Sequence, residues 1–250
     1  LSTLSLQSLR YRGNGFDDCQ TLQSISQLTS LTSLDIRDCF MKCEIFDFIC
    51  STMKLKHFSF GADFGFFDFI DNSTDEASSF DWCESFLKLA PTLTSFNIHE
   101  DPLVTLANES YIRILQSCHC LTRLHLKDKD LNFFNQLGDY KLSLRELTIE
   151  YVYSSDRLDY GDVCNKFRFI MNTICTYCPS LQRLVISFTH YMYVNGRTDR
   201  LSPEFNSMIV RLINVLSSLS YLHIKFYFIH QFIEYSSNEL ELSRQLCSLV

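Results

Sequence analysis

Four of the seven histidines, His57, His99, His125 and His223, fall at polar positions in short runs of alternating apolar and polar residues. Imidazole is the commonest metal ligand, so their arrangement is the first chemistry to weigh. Each belongs to a different run, and neighbouring strands lie about 5 Å apart. A metal ion needs a defined, convergent ligand set. Exposed structural histidines are therefore expected, with no metal and no cofactor. Cys175-x-x-Cys178 has the spacing of half a redox or zinc site, but no second pair accompanies it. Cys178 also continues an apolar helical stripe, so core packing is the expectation. Glu146 and Glu150 are a carboxylate pair of the kind used in acid–base work, yet both fall on an open face without a pocket-forming motif. There is no Gly-rich phosphate loop, no serine elbow and no paired-histidine metal motif. Only 7 glycines occur, which leaves few tight backbone cradles. No catalytic residue is assigned, and the chain is not expected to be an enzyme.

What remains is recognition chemistry. Arg123, His125 and Lys127 occupy the polar positions of one run, and Tyr221, His223 and Lys225 those of another. Glu146, Glu150 and Arg183 fall at the same positions of the runs between them. Arg and Tyr are favoured at binding hot spots, so these nine residues form the candidate recognition strip. The alternative, weighed evenly for any one residue, is that opposite charges on neighbouring strands only stabilise the sheet, by a few tenths of a kcal/mol per pair.

The elements that must position this strip are repeats. Leu-x-x-Leu/Phe-x-Leu/Ile/Phe occurs eight times, starting at Leu1, Leu31, Leu55, Leu93, Leu121, Leu144, Leu181 and Leu219, with a truncated ninth start at Leu246. In a strand the second and third apolar positions point to one face, while the first packs from the approach to the strand. One such unit cannot close a core, and stacking supplies it. Between the motifs, apolar residues recur at helical spacing: Phe167, Ile170, Ile174 and Cys178; Phe205, Ile209, Leu212, Ile213 and Leu216 after the start signal Ser202-Pro203; Ile45, Phe48, Ile49 and Met53; Tyr111, Ile112, Leu115 and Cys118. Pro91 and Pro179 stand where a helix must stop before the next strand. The expectation is an α/β class chain, a right-handed solenoid (horseshoe) with a concave parallel sheet and convex helices, forming a single domain over residues 1–250.

The long repeats add insertions after strand ends: 61–81, rich in phenylalanine and acid; 150–162, with Tyr151, Tyr153 and Tyr160; and 187–204, with His190, Tyr191, Tyr193 and Arg197. Long loops in a compact repeat either pack on themselves or meet a partner.

At this point a family resemblance is visible. Cys178-Pro179-Ser180-Leu181-Gln182-Arg183-Leu184-Val185-Ile186 resembles the helix-to-strand junction of F-box leucine-rich-repeat proteins. Gln116 through Leu126 is a looser copy that lacks the proline, and Leu31 through Cys39 is similar to the cysteine-containing repeat type. Asp63, Asp101, Lys129, Val152, Thr189 and Tyr227 occupy that ninth position in other repeats, so the inter-repeat ladder normally built there is not expected. The resemblance implies the substrate-recognition repeats of a ubiquitin-ligase adaptor, reaching a Skp-family adaptor and cullin through an F-box upstream. No F-box is visible here, and the opening inside a repeat suggests a piece of a longer chain. The other reading is a generic leucine-rich-repeat scaffold or sensor, immune-receptor-like or inhibitor-like.

Bulk composition narrows the partner. With 22 basic and 29 acidic residues the net charge is −7, which disfavours general affinity for nucleic acid or anionic membrane. No apolar run is long enough to span a bilayer. Eleven scattered cysteines, several on helical stripes, fit a reducing compartment, so a cytoplasmic or nuclear location is expected.

Overall fold

The leucine that heads each motif sets the position of everything after it. In the computed structural model, which describes residues 6–12, 24, 28, 30–37, 43–61, 82–99, 108–127, 131–153, 160–190, 203–228 and 231–237, a strand begins two residues after each motif leucine from Leu31 to Leu219. The chain forms two compact units, Leu1–Thr122 and Arg123–Val250.

The first unit contains strands β1 (Ser8–Arg12), β2 (Ser33–Arg37), β3 (His57–Gly61) and β4 (Ser95–His99). Its helices are α1 (Cys43–Thr52), α2 (Trp82–Leu89) and α3 (Asn108–Ser117). Neighbouring strands pair in parallel in chain order, so that Leu34, Phe58 and Phe96 lie in one row across the sheet. All three are buried, and Phe46 and Phe86 from the covering helices meet them, with the Phe86 and Phe96 ring centroids 4.5 Å apart. Each such side chain contributes about 1.5–3 kcal/mol on burial.

Successive helices of this unit are also tied by charge. Asp47 of α1 meets Lys88 of α2 at 2.6 Å, and Glu84 of α2 meets Arg113 of α3. Hydrogen bonds from Lys88 and Ser85, the leading causes, hold the Asp47 carboxyl below its ordinary pKa.

The second unit contains β5 (Arg123–Lys127), β6 (Glu146–Tyr153), β7 (Arg183–His190), β8 (Tyr221–Phe228) and β9 (Gln231–Ser237). Helices α4 (Tyr160–Tyr177) and α5 (Pro203–Val215) follow β6 and β7. Strands β5 to β8 pair in parallel, giving the rows Leu124–Leu147–Leu184–Leu222 and Leu126–Ile149–Ile186–Ile224. All eight side chains are buried. Between β5 and β6 the shortest repeat has little room for an α-helix. A 3₁₀ segment, Leu131–Leu137, returns the chain instead and buries Phe133 and Phe134.

The predicted helical stripes are found, with small differences. Ile45 and Ile49 are buried in α1, but Phe46 and Cys50 complete that core face, while Phe48 is only half-buried. Cys118, Cys178 and Leu216 stand one residue past their helices, and each amide donates to the carbonyl four residues back. The motif leucines Leu121, Leu181 and Leu219 then donate to the carbonyls of those three residues. This turn is why an apolar residue stands three positions before the strand leucine.

Three expectations are corrected. The first repeat starts at Leu6, not Leu1: Leu9 pairs with Leu34 and Tyr11 with Ile36, an offset of 25 residues shared by Gln7 and Thr32. Residues 150–153 and 187–190 are not loop but strand. Tyr151 is accordingly buried, stacked on Phe188 with centroids 5.5 Å apart. The third correction is β9, which runs antiparallel to β8 where no strand was anticipated. Residues 62–81, 154–159 and 191–202 of the three insertions and the ninth start at Leu246 lie outside the described residues, while 160–162 open α4 and 203–204 open α5.

An inter-repeat ladder exists, but one residue after the motif leucine. Thr32, Thr94, Thr122 and Ser220 each donate a side-chain hydroxyl to the carbonyl of the preceding repeat's matching residue (Gln7, Lys56, Thr94 and Gln182). Their amides donate to the same oxygens.

Candidate binding surface

Alternation along β5 to β8 puts the leucines and isoleucines on the covered face and the predicted strip on the other. The register brings Arg123, Glu146, Arg183 and Tyr221 into one row. A second row is His125, Thr148, Val185 and His223, and a third is Lys127, Glu150, Ser187 and Lys225. All nine candidate residues thus come together on one face of one unit. Glu234 of β9 stands in register beside Lys225. The Lys127 side chain is outside the described residues.

On this face several side chains hold one another in place. The Arg183 guanidinium carbon lies 3.9 Å from the centre of the Tyr221 ring, a cation–π contact worth about 0.5–1 kcal/mol at an exposed site. The Tyr221 hydroxyl lies 3.0 Å from His223 Nδ1, which fixes the ring from its other end. His125 Nε2 lies 3.3 Å from Glu150 Oε1 on the neighbouring strand, an ion pair whenever the imidazole is protonated. These contacts satisfy part of the alternative reading, in which the charges support the sheet.

The first row differs. Arg123 and Glu146 are in register and exposed, and among the described residues neither forms an ion pair. Arg183 is also exposed and turned to Tyr221. The row presents two guanidinium groups, a carboxylate and a phenol ring to solvent, a mixture suited to a polar protein surface.

The four histidines fall on four different strands. His57 lies in the first unit, His125 and His223 lie on β5 and β8, and the His99 side chain is outside the described residues. Among the described residues no three His, Cys, Asp or Glu are grouped to hold a metal. The Cys175-x-x-Cys178 pair sits at the end of α4 with both thiols free. Burial pushes the Cys178 thiol up to about 12 and raises Cys175 as well, so neither is a ready thiolate. Among the described residues no helix is long and apolar enough to cross a membrane.

Two features escaped the sequence reading. The hydroxyl ladder was visible as Leu-Thr or Leu-Ser at Leu31, Leu93, Leu121 and Leu219. A cleft between α4 and α5 had no sequence signal, because it depends on how two helices separated by a strand pack. A scan against protein-family models and a search of curated proteins both return no match for this chain. What the structure establishes is an α/β repeat fold: in each unit, parallel strands follow one another in chain order and alternate with helices.

Proposed function

We propose that this chain is a non-catalytic protein-recognition module of the leucine-rich-repeat class, receiving its partner on the polar face of β5–β8. One observation carries the reading: Arg123 and Glu146 stand side by side, exposed, and not joined to each other or to another charge among the described residues. A sheet that used its charges only for its own stability would pair these two first. Arg183 and Tyr221, already ordered by their mutual contact, cost less side-chain entropy on binding and serve as the anchors.

The resemblance of Cys178-Pro179-x-Leu181-x-x-Leu184-x-Ile186 to the F-box branch supports a finer proposal. In it these repeats hold the substrate of a ubiquitin ligase in the cytoplasm or nucleus, and an F-box outside residues 1–250 engages a Skp-family adaptor and cullin. Affinity purification of the full-length protein tests this. Co-purification of a Skp-family adaptor with a cullin is the expected result. A reproducible set of partners that lacks both overturns the adaptor role.

A further inference from the structure

The polar face of the second unit has a spacing as well as a set of charges. Its first row crosses three neighbouring strands as Arg123, Glu146 and Arg183, so the charges alternate basic, acidic, basic. All three side chains are exposed. Tyr221 ends the row on β8, and the Arg183 guanidinium lies over its ring at 3.9 Å. A guanidinium held over a ring keeps its N–H donors for a carboxylate, which they bind through paired hydrogen bonds.

Neighbouring strands lie about 4.8 Å apart, so the three charges span about 10 Å across the sheet. A partner that answers all three must repeat its own charges at that interval. An α-helix does so, because one turn rises about 5.4 Å and i to i+7 spans about 10.5 Å. An extended segment does not. Its same-face residues recur at about 6.7 Å, and the third falls about 13 Å from the first. Arg183 cannot follow that displacement without leaving the Tyr221 ring.

The second row makes room for a helix. Thr148 and Val185, in register on β6 and β7, have short side chains and are half-buried beside the longer side chains of the first row. A helix laid over these two has one flank against the first row, about 6.7 Å away along the strands.

We infer, resting on the proposed recognition role of this face, that its partner presents an α-helix laid across β5–β7. The helix carries an acidic residue on Arg123, a basic one on Glu146 and an acidic one on Arg183, at i, i+3 or i+4, and i+7.

The test is selection on the intact chain from two displayed libraries. One is a stable helical hairpin randomised at i, i+3, i+4 and i+7 of one helix and at the positions facing Thr148 and Val185. The other is an unstructured segment of the same length and diversity. Expected is that the helical library yields the binders, with Asp or Glu at i and i+7 and Lys or Arg between them. Against the folded triple variant R123E/E146R/R183E their affinity falls at least tenfold. The same helices with every charge reversed bind that variant at least tenfold better than they bind the natural chain. Binders from the unstructured library only, helical binders without the charge pattern, no binders from either, or undiminished affinity for the triple variant overturns the inference. Should the triple variant fail to fold, E146R alone, at an exposed position, supplies the same comparison through the central charge. The recognition role itself fails separately, when natural partners are recovered in full with R123E/R183E.

Discussion

Asp47 shows how a single side chain can matter to the stacking of repeats without being buried. It accepts from Lys88 and Ser85 across the seam between α1 and α2, and its carboxyl is held below the ordinary value. A depressed folded-state pKa gives stability that is present above the unfolded value, about 4, and is lost as pH falls through the folded one. Because the pair is solvent-exposed, its contribution stays below about 1 kcal/mol. Asp47→Asn is therefore expected to lower the melting temperature slightly at neutral pH, and the difference from the natural chain should shrink and vanish as the carboxyl protonates in acid. A difference independent of pH would mean that the carboxylate charge contributes nothing. At this same scale the candidate strip was legible, because alternation alone decides which residues of a strand share a face. What the sequence could not show was which charges pair. Arg183 chooses Tyr221 on β8, and His125 reaches diagonally to Glu150, choices made by side-chain geometry across strands.

At the scale of the element, the repeat is held by three devices: the apolar rows, the turn that ends each helix, and the hydroxyl ladder. The ladder is the most easily isolated. Thr94 both donates to Lys56 and accepts from Thr122, so it joins three successive repeats of the first unit. Thr94→Val keeps the shape, and its main-chain amide and carbonyl still bond, so about 1 kcal/mol is the expected cost. Urea unfolding measures it; an unchanged midpoint would show that water replaces the hydroxyl at no cost. Element boundaries were legible wherever the motif was intact. They failed at β1 because Tyr11 fills the third apolar position, which made the run at Leu1 look the better match. They failed at β9 because Ile229 and His230, between β8 and β9, carry none of the Gly or Asn signals of a tight hairpin. The extra length of β6 and β7 was hidden for another reason. Tyr151 and Phe188 pair with one another inside the strands, and isolated aromatics after a motif look like loop residues.

At the scale of the whole chain, two units of the same construction carry different surfaces. In the first, Arg10 and Asp35 face each other in register at 2.9 Å, so the polar face answers one of its own charges. In the second, the row Arg123–Glu146–Arg183–Tyr221 leaves its leading charges unmatched among the described residues, while the Leu and Ile rows of the covered face are buried. That contrast between two surfaces on one kind of scaffold is the ground for placing recognition on the second unit. Replacing Arg123 and Arg183 by glutamate together reverses the sign of this row without touching a buried side chain. The direct test is affinity purification of the full-length protein with and without the double replacement, quantified by mass spectrometry, with melting curves to confirm that both forms are folded. The account predicts that the partners recovered with the natural protein fall at least tenfold in the folded double variant. Full recovery of the same partners would contradict it.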